Sequence, residues 1–171
     1  MDYLPLLPAH DADVDALLTL CFGPARALRT ASLLRKDAQR IPAACFVAID
    51  GDAVVGAVHA YQMEWRRLDG LARDLVLIGP LVSHPERRGE GIGLALMQRA
   101  TGWLDASGFS AMLIGDEPYY GRFGFSAAAT QHWRLPGPVD PARLLLRSTT
   151  PALFDAEADI GRAGGCASRA A

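Results

Sequence analysis

The amino-acid sequence predicts an α/β fold, a mixed and mostly antiparallel sheet flanked by helices, on three observations. Two apolar runs, 44–50 and 53–65, are separated by Gly51-Asp52, which is the pattern of a β-hairpin. A helical stripe from Gly91 to Ser107 lies between two further apolar runs, 74–83 and 110–116. Strand, helix and strand in that order make a parallel crossover. Helical spacing between residues 11 and 38 places more helix ahead of the hairpin.

Taken in order, residues 1–10 hold a short edge strand, because Pro5 cannot donate to an interior ladder. Asp11 and Asp13 open a helix that runs to about Cys21, placed where the positive end of the helix dipole favours acids. Gly23-Pro24 ends it, and a second helix is expected from Ala25 to Ala38 on Leu28, Ala31, Leu34 and Ala38. After the hairpin, polar residues 66–73 read as a loop. The run from Asp74 is interrupted by Gly79-Pro80, where a bulge or a parting of neighbouring strands is expected. Ile92, Leu96, Ala100 and Trp103 form the stripe of the next helix, and Gly108 stops it. Strand-like stretches follow at 126–135 and 143–147, joined by the proline-rich turn 136–141. The expected organisation is a single domain over 1–160, with 161–171 a flexible tail.

Composition narrows the function. The chain has 171 residues and a formal charge of −2, with no basic stripe, which argues against a nucleic-acid partner. No run approaches the ~18 apolar residues of a membrane span, and the N-terminus lacks the basic and apolar regions of a signal peptide. Cys21, Cys45 and Cys166 are odd in number and far apart, so reduced thiols and no metal site are expected. A soluble, cytoplasmic protein is the expectation from these features.

The segment richest in chemistry is Leu81-Val82-Ser83-His84-Pro85-Glu86-Arg87-Arg88-Gly89-Glu90-Gly91-Ile92-Gly93. A strand ends, glycines follow, and a helix starts among them. Unpaired amides and the helix dipole at such a start attract a phosphate or pyrophosphate, and Arg87 and Arg88 add charge. The same glycines also suit a plain strand-to-helix turn. The spelling is not a P-loop, which needs GxxxxGK[ST]. Nor is it GxGxxG, since counting six from Gly89 reaches Leu94 and from Gly91 reaches Leu96.

Here the sequence resembles the GNAT acetyltransferases, and within them a bacterial small-domain subgroup. Arg88-Gly89-Glu90-Gly91-Ile92-Gly93 is similar to that family's Q/R-x-x-G-x-G/A loop, and Tyr120-Gly121-Arg122-Phe123-Gly124-Phe125 to its tyrosine followed by x-x-x-Gly-Phe. The resemblance covers about residues 1–135. It implies a sheet with a splayed strand pair and acetyl-CoA as cosubstrate. It also implies a coenzyme site made of Leu81, Val82 and Ser83 at the strand end with Arg87, Arg88, Gly89, Glu90, Gly91, Ile92 and Gly93. Val82 and Ser83 would pair with the pantetheine arm, and a backbone N–H near Val82 would steady the oxyanion. Tyr120 would be the general acid that protonates the departing thiolate.

The implied activity is acetyl transfer to a primary amine of a small molecule or protein, by direct attack in a ternary complex. A lysine-like amine must first lose a proton, at a cost of ~4.6 kcal/mol at pH 7. Some family members carry a glutamate near position 77, where this chain has Leu77 in the apolar run Leu75-Val76-Leu77-Ile78. Glu64, Asp74, His84 and Asp116 are the alternatives for a base. The missing carboxylate keeps a second reading open, a catalytically inactive domain that binds acetyl-CoA and regulates a partner. An exposed sheet edge also leaves room for a homodimer.

Overall fold

Gly51, in the left-handed region at φ 61°, turns the chain between β2 (Phe46–Asp50) and β3 (Ala53–Arg67). The computed structural model describes residues 1–164. The other strands are β1 (Asp2–Pro5), β4 (Ala72–Ser83), β5 (Ala111–Ile114), β6 (Trp133–Arg134), β7 (Leu144–Arg147) and β8 (Ala158–Arg162). The α-helices are α1 (Asp11–Phe22), α2 (Thr30–Arg35), α3 (Ile92–Ser107) and the short α4 (Glu117–Tyr120). The strands form one sheet in the order β1-β2-β3-β4-β5-β7, with β8 pairing β3 and β6. Ladders β1/β2, β2/β3, β3/β8 and β5/β7 are antiparallel, while β4/β5 and β6/β8 are parallel. The mixed, mostly antiparallel sheet with a crossover through α3 is therefore present.

The chain divides into two units: Met1–Ala27, Arg40–Ala60 and Ile78–Ser107, and then Leu28–Gln39, Tyr61–Leu77 and everything from Gly108 onward. In the first, the buried side of α3 carries Ile92, Leu96, Met97, Ala100 and Leu104. Burying each of the larger of these stabilises by ~1.5–3 kcal/mol. Leu104 takes the place expected for Trp103, which is only partly buried. Helix α3 packs on β2, and the Arg99 guanidinium lies 4.4 Å from the Tyr3 ring centre, linking α3 to the edge strand β1. Helix α1 begins with Asp11 and Asp13 and ends at Gly23, whose N–H donates to Thr19 O at 2.9 Å.

In the second unit, Leu34, Met63, Trp65, Leu75, Leu77, Met112, Trp133, Leu144, Phe154 and Ile160 belong to one buried apolar cluster. Trp65 meets Phe154 edge-on at 5.6 Å, and the Trp133 indole N–H donates to Phe154 O at 2.9 Å. The Thr130 hydroxyl, fully buried, donates to Leu144 O at 2.5 Å. The β4/β5 ladder pairs Val76 with Ala111 and Leu77 with Met112, ending two residues before Gly79-Pro80.

Several expectations differ from the structure. The second helix is not 25–38: a 3-10 turn, Pro24–Leu28, precedes a six-residue α2, and Arg29 between them is extended at ψ 146°. A distant contact decides this, since the Thr30 hydroxyl donates to Pro138 O at 2.5 Å. Asp37, at φ 61°, then turns the chain. Only residues 68–71 of the expected loop 66–73 are a turn: Arg66 and Arg67 end β3, kept extended by β8 along Met63–Arg67, and Ala72 and Arg73 open β4. Strand β4 is not interrupted at Gly79-Pro80, whose peptide bond is cis, but its ladder with β5 ends at Leu77 and Met112, so the expected parting of neighbouring strands is present. The stretch 126–135 keeps only the Ser126 bridge to Leu146 and the two residues of β6 as strand. Strand β8 includes Gly161 and Arg162, the first residues of the expected tail, and residues 165–171 with Cys166 lie outside the described residues. No helix among the described residues is long and apolar enough to cross a membrane.

Candidate functional site

At the end of β4, Val82 is buried and Leu81 and Ser83 are half-buried. The His84 N–H donates to Val55 O at 2.8 Å, which keeps the chain on β3 until the loop begins. Pro85–Arg87 then form a 3-10 turn capped by His84, whose Nδ1 accepts from the Glu86 N–H at 3.4 Å. Gly89 and Gly91 follow at φ 89° and 77°, a region that costs a side-chain-bearing residue ~1–2 kcal/mol. The Ala95 N–H donates to Gly91 O at 2.9 Å, closing the first turn of α3. The amides of Ile92, Gly93 and Leu94 therefore have no acceptor within the helix and stand at its positive end.

The space above the glycines is open. Apart from the glycine and its two chain neighbours, no heavy atom lies within 4 Å of where a Cβ would stand on Gly89 or Gly91. Beneath the helix start the packing is tight: a Cβ on Gly56 of β3 would meet Ile92 Cγ2 at 2.5 Å and Val82 O at 3.1 Å. An open, glycine-lined turn above a firm floor, ending at a helix N-terminus, is suited to a phosphate.

The two arginines of the loop differ. The Arg87 Nη1 donates to Asp50 Oδ2 at 2.8 Å and its Nε to Glu90 Oε1 at 2.6 Å. These bonds to Arg87 hold both carboxyls below the usual carboxylate range. Arg88 is exposed, and among the described residues no carboxylate pairs with it. Nearby, the Cys21 thiol donates to Ser83 O at 3.5 Å, and burial pushes that thiol up.

In the second unit, Asp116 begins α4 by accepting the Tyr119 and Tyr120 N–H groups at its carbonyl, at 2.9 and 3.0 Å. Its carboxylate takes the Arg143 Nε at 2.9 Å. Tyr120 is half-buried and meets Phe125 edge-on at 6.4 Å. Gly124, at φ 81°, makes the bend that returns Phe125 beneath it. Burial is the chief reason that the Tyr120 phenol is pushed up to about 12; Tyr119 and Asp116 add to the shift and Arg143 opposes it. Tyr119 is a packing residue, edge-on to Tyr120 at 4.8 Å with the Arg122 guanidinium 5.1 Å from its ring centre.

The alternatives for a base are mostly engaged. Glu64 Oε1 accepts from Arg66 Nη2 at 2.5 Å and Nε at 2.9 Å. His84 and Asp116 serve as the caps described, and Asp74 is exposed on β4. Leu77 is 1% exposed within its apolar cluster. Asp50, Gly56 and Gly115 were not anticipated as site residues. Asp50 had one signal, an acid at a hairpin turn, but its partner Arg87 is 37 positions away. Among the described residues no three His, Cys, Asp or Glu lie together in a way that could hold a metal ion.

The family model described as "Acetyltransferase (GNAT) family" matches residues 12–125, a span that contains the loop and Tyr120. No protein with a curated description matches the chain by sequence. Among solved structures, the GNAT family N-acetyltransferase YhbS of Escherichia coli, in complex with CoA, is 23% identical with a TM-score of 0.74, over 94% of this chain and 88% of that one. A GNAT family acetyltransferase of Brucella melitensis, in complex with acetyl-CoA, is 20% identical with a TM-score of 0.66, over 94% of each chain. Naa50 of Arabidopsis thaliana, in complex with a bisubstrate analogue, is 17% identical with a TM-score of 0.53, over 85% of this chain and 94% of that one. These likenesses are of fold, while the family match spans most of the chain and covers both landmark segments: the chain belongs to the acetyltransferase (GNAT) family.

Proposed function

We propose that the protein is an N-acetyltransferase that moves an acetyl group from acetyl-CoA to a primary amine of a small molecule or protein, by direct attack of the amine within a ternary complex. The observation that carries this reading is the open glycine turn at the N-terminus of α3, whose unpaired amides and positive helix end suit a pyrophosphate. Arg88 adds the free positive charge, and Gly89 to Gly93 supply the N–H groups. Leu81, Val82 and Ser83 offer backbone groups to the amide-bearing arm, and the Val82 N–H meets negative charge on the acetyl oxygen. Acetyl-CoA supplies the acetyl group as a thioester.

Tyr120 is the general acid in this proposal. A phenol raised to about 12 keeps its proton throughout the neutral range. An ordinary thiol titrates near ~8.5, so full transfer of the Tyr120 proton to sulfur is uphill. Tyr120 acts through a hydrogen bond that strengthens as charge builds on the thiolate, with water restoring any proton it gives up. No carboxylate stands at Leu77, so the amine is deprotonated through water or arrives neutral.

The test is transfer itself. The protein is incubated with acetyl-CoA and a panel of amines, and free thiol is followed with acetylated amine identified by mass. Amine-dependent thiol release establishes the activity. CoA binding without release for any amine supports the second reading, a regulatory acetyl-CoA-binding domain, which the burial of Leu77 in an apolar cluster favours.

A further inference from the structure

We propose that Arg87 is a positioning residue and not a phosphate ligand: held between Asp50 and Glu90, it clamps the glycine turn in its ligand-ready form. The inference rests on the reading of that turn as the seat of the coenzyme phosphates.

Three facts carry it. Arg87 spends its Nη1 on Asp50, at 2.8 Å, and its Nε on Glu90, at 2.6 Å, so two of the five N–H donors of the guanidinium are held by carboxylates on either side of it. Asp50 is the last residue of β2, paired with Ala53 across the hairpin turn, and so gives the clamp a fixed anchor. Glu90 is the single side chain between Gly89 and Gly91, the two residues with positive φ. Glycine loses more freedom on ordering than any other residue. Tying Glu90 down therefore fixes both flanking glycines, and the amides beyond them, before any ligand arrives. Preorganisation of this kind is a recognised source of affinity.

The clamp makes a prediction of unexpected sign. Asp50 and Glu90 are negative charges beside a site for an anion, so charge alone says that removing either should tighten binding. The clamp says that removal weakens binding, because the turn loosens and the freed arginine is no longer held in place.

The experiment measures CoA binding to the full chain by calorimetry, for the wild type, Asp50→Asn, Asp50→Glu, Glu90→Gln, Arg87→Gln and the double variant Asp50→Asn with Arg87→Gln. Asp50→Asn and Glu90→Gln should each weaken CoA about three- to tenfold, and Asp50→Glu should recover most of the loss. The double variant should bind within about twofold of Arg87→Gln alone, since both act through one contact. The side chains of Asp50 and Glu90 are 43% and 41% exposed, so both variants should fold, and a melt without ligand checks this. CoA binding by Asp50→Asn or Glu90→Gln that equals or exceeds the wild type overturns the clamp while leaving the phosphate seat intact. No CoA binding by the wild type removes the seat, and the clamp with it.

Discussion

Gly115 and Tyr120 lie so close that no side chain fits between them: a methyl group on Gly115 would stand 2.2 Å from Cε2 of the tyrosine ring. The ring rests on bare backbone, one residue past the end of β5 and at the start of the turn into α4. Gly115→Ala should therefore push Tyr120 out of place. Overpacking of this kind costs ~1–3 kcal/mol, a fall in Tm of ~2–12 °C for a chain of this size. If Tyr120 is the general acid, turnover falls with it. A stable Gly115→Ala protein with full turnover would separate the phenol from the chemistry.

Tyr120→Phe removes the hydroxyl and keeps the ring. Turnover should drop about 100-fold, at the lower end of what a positioned acid contributes, with acetyl-CoA binding unchanged. Because burial holds the phenol near 12, the wild-type pH profile should show no loss of the acid below about pH 11. An alkaline limb near pH 9 that disappears in Tyr120→Phe would contradict this placement of the phenol.

The same shift has a consequence for stability. The fold favours the neutral phenol, so its folded pKa lies above the ordinary value of 10.0. The stabilisation is complete below pH 10, the unfolded value, and is lost as pH rises from there through about 12. Melts between pH 9 and 12 should show a steeper alkaline decline for the wild type than for Tyr120→Phe. Parallel declines would mean that Tyr120 is not desolvated.

Gly91→Ala and Gly56→Ala probe the loop from its two sides. On Gly91 the added methyl meets no protein atom, but φ 77° is strained for alanine, at ~1–2 kcal/mol. On Gly56 the methyl would strike Ile92 Cγ2 at 2.5 Å and shift the first turn of α3. Both variants should weaken CoA binding about tenfold, which is ~1.4 kcal/mol. Unchanged binding in both would mean that the loop's shape does not matter to the ligand.

Much of this was legible in the sequence where the causes are local. Gly51-Asp52 announces its hairpin, and the glycines at 89 and 91 and at 108 bracket α3. The loop and the Tyr120 segment were both found by their spelling. What escaped depends on contacts between distant residues. Helix α2 is shortened where Thr30 meets Pro138, and strand β8 exists because Ala158–Arg162 pairs with Met63–Arg67. The ion pairs of Arg87 with Asp50 and Glu90 could not be read beside Arg88 in the loop, because Asp50 lies 37 positions away. Local periodicity carries no trace of such pairings, and a glycine such as Gly115 gives no sign of which ring will lie on it.

The central claim is that the turn from Gly89 to Gly93 holds the phosphates of coenzyme A, and a thermal melt tests it most directly. The purified protein is heated alone, with CoA, and with ATP and NAD as controls. CoA at ~100 times its dissociation constant should add ~2.7 kcal/mol, which for this chain is a rise of ~5–11 °C, while ATP and NAD should leave the melt where it was. No rise at millimolar CoA, or an equal rise with all three, would contradict the account.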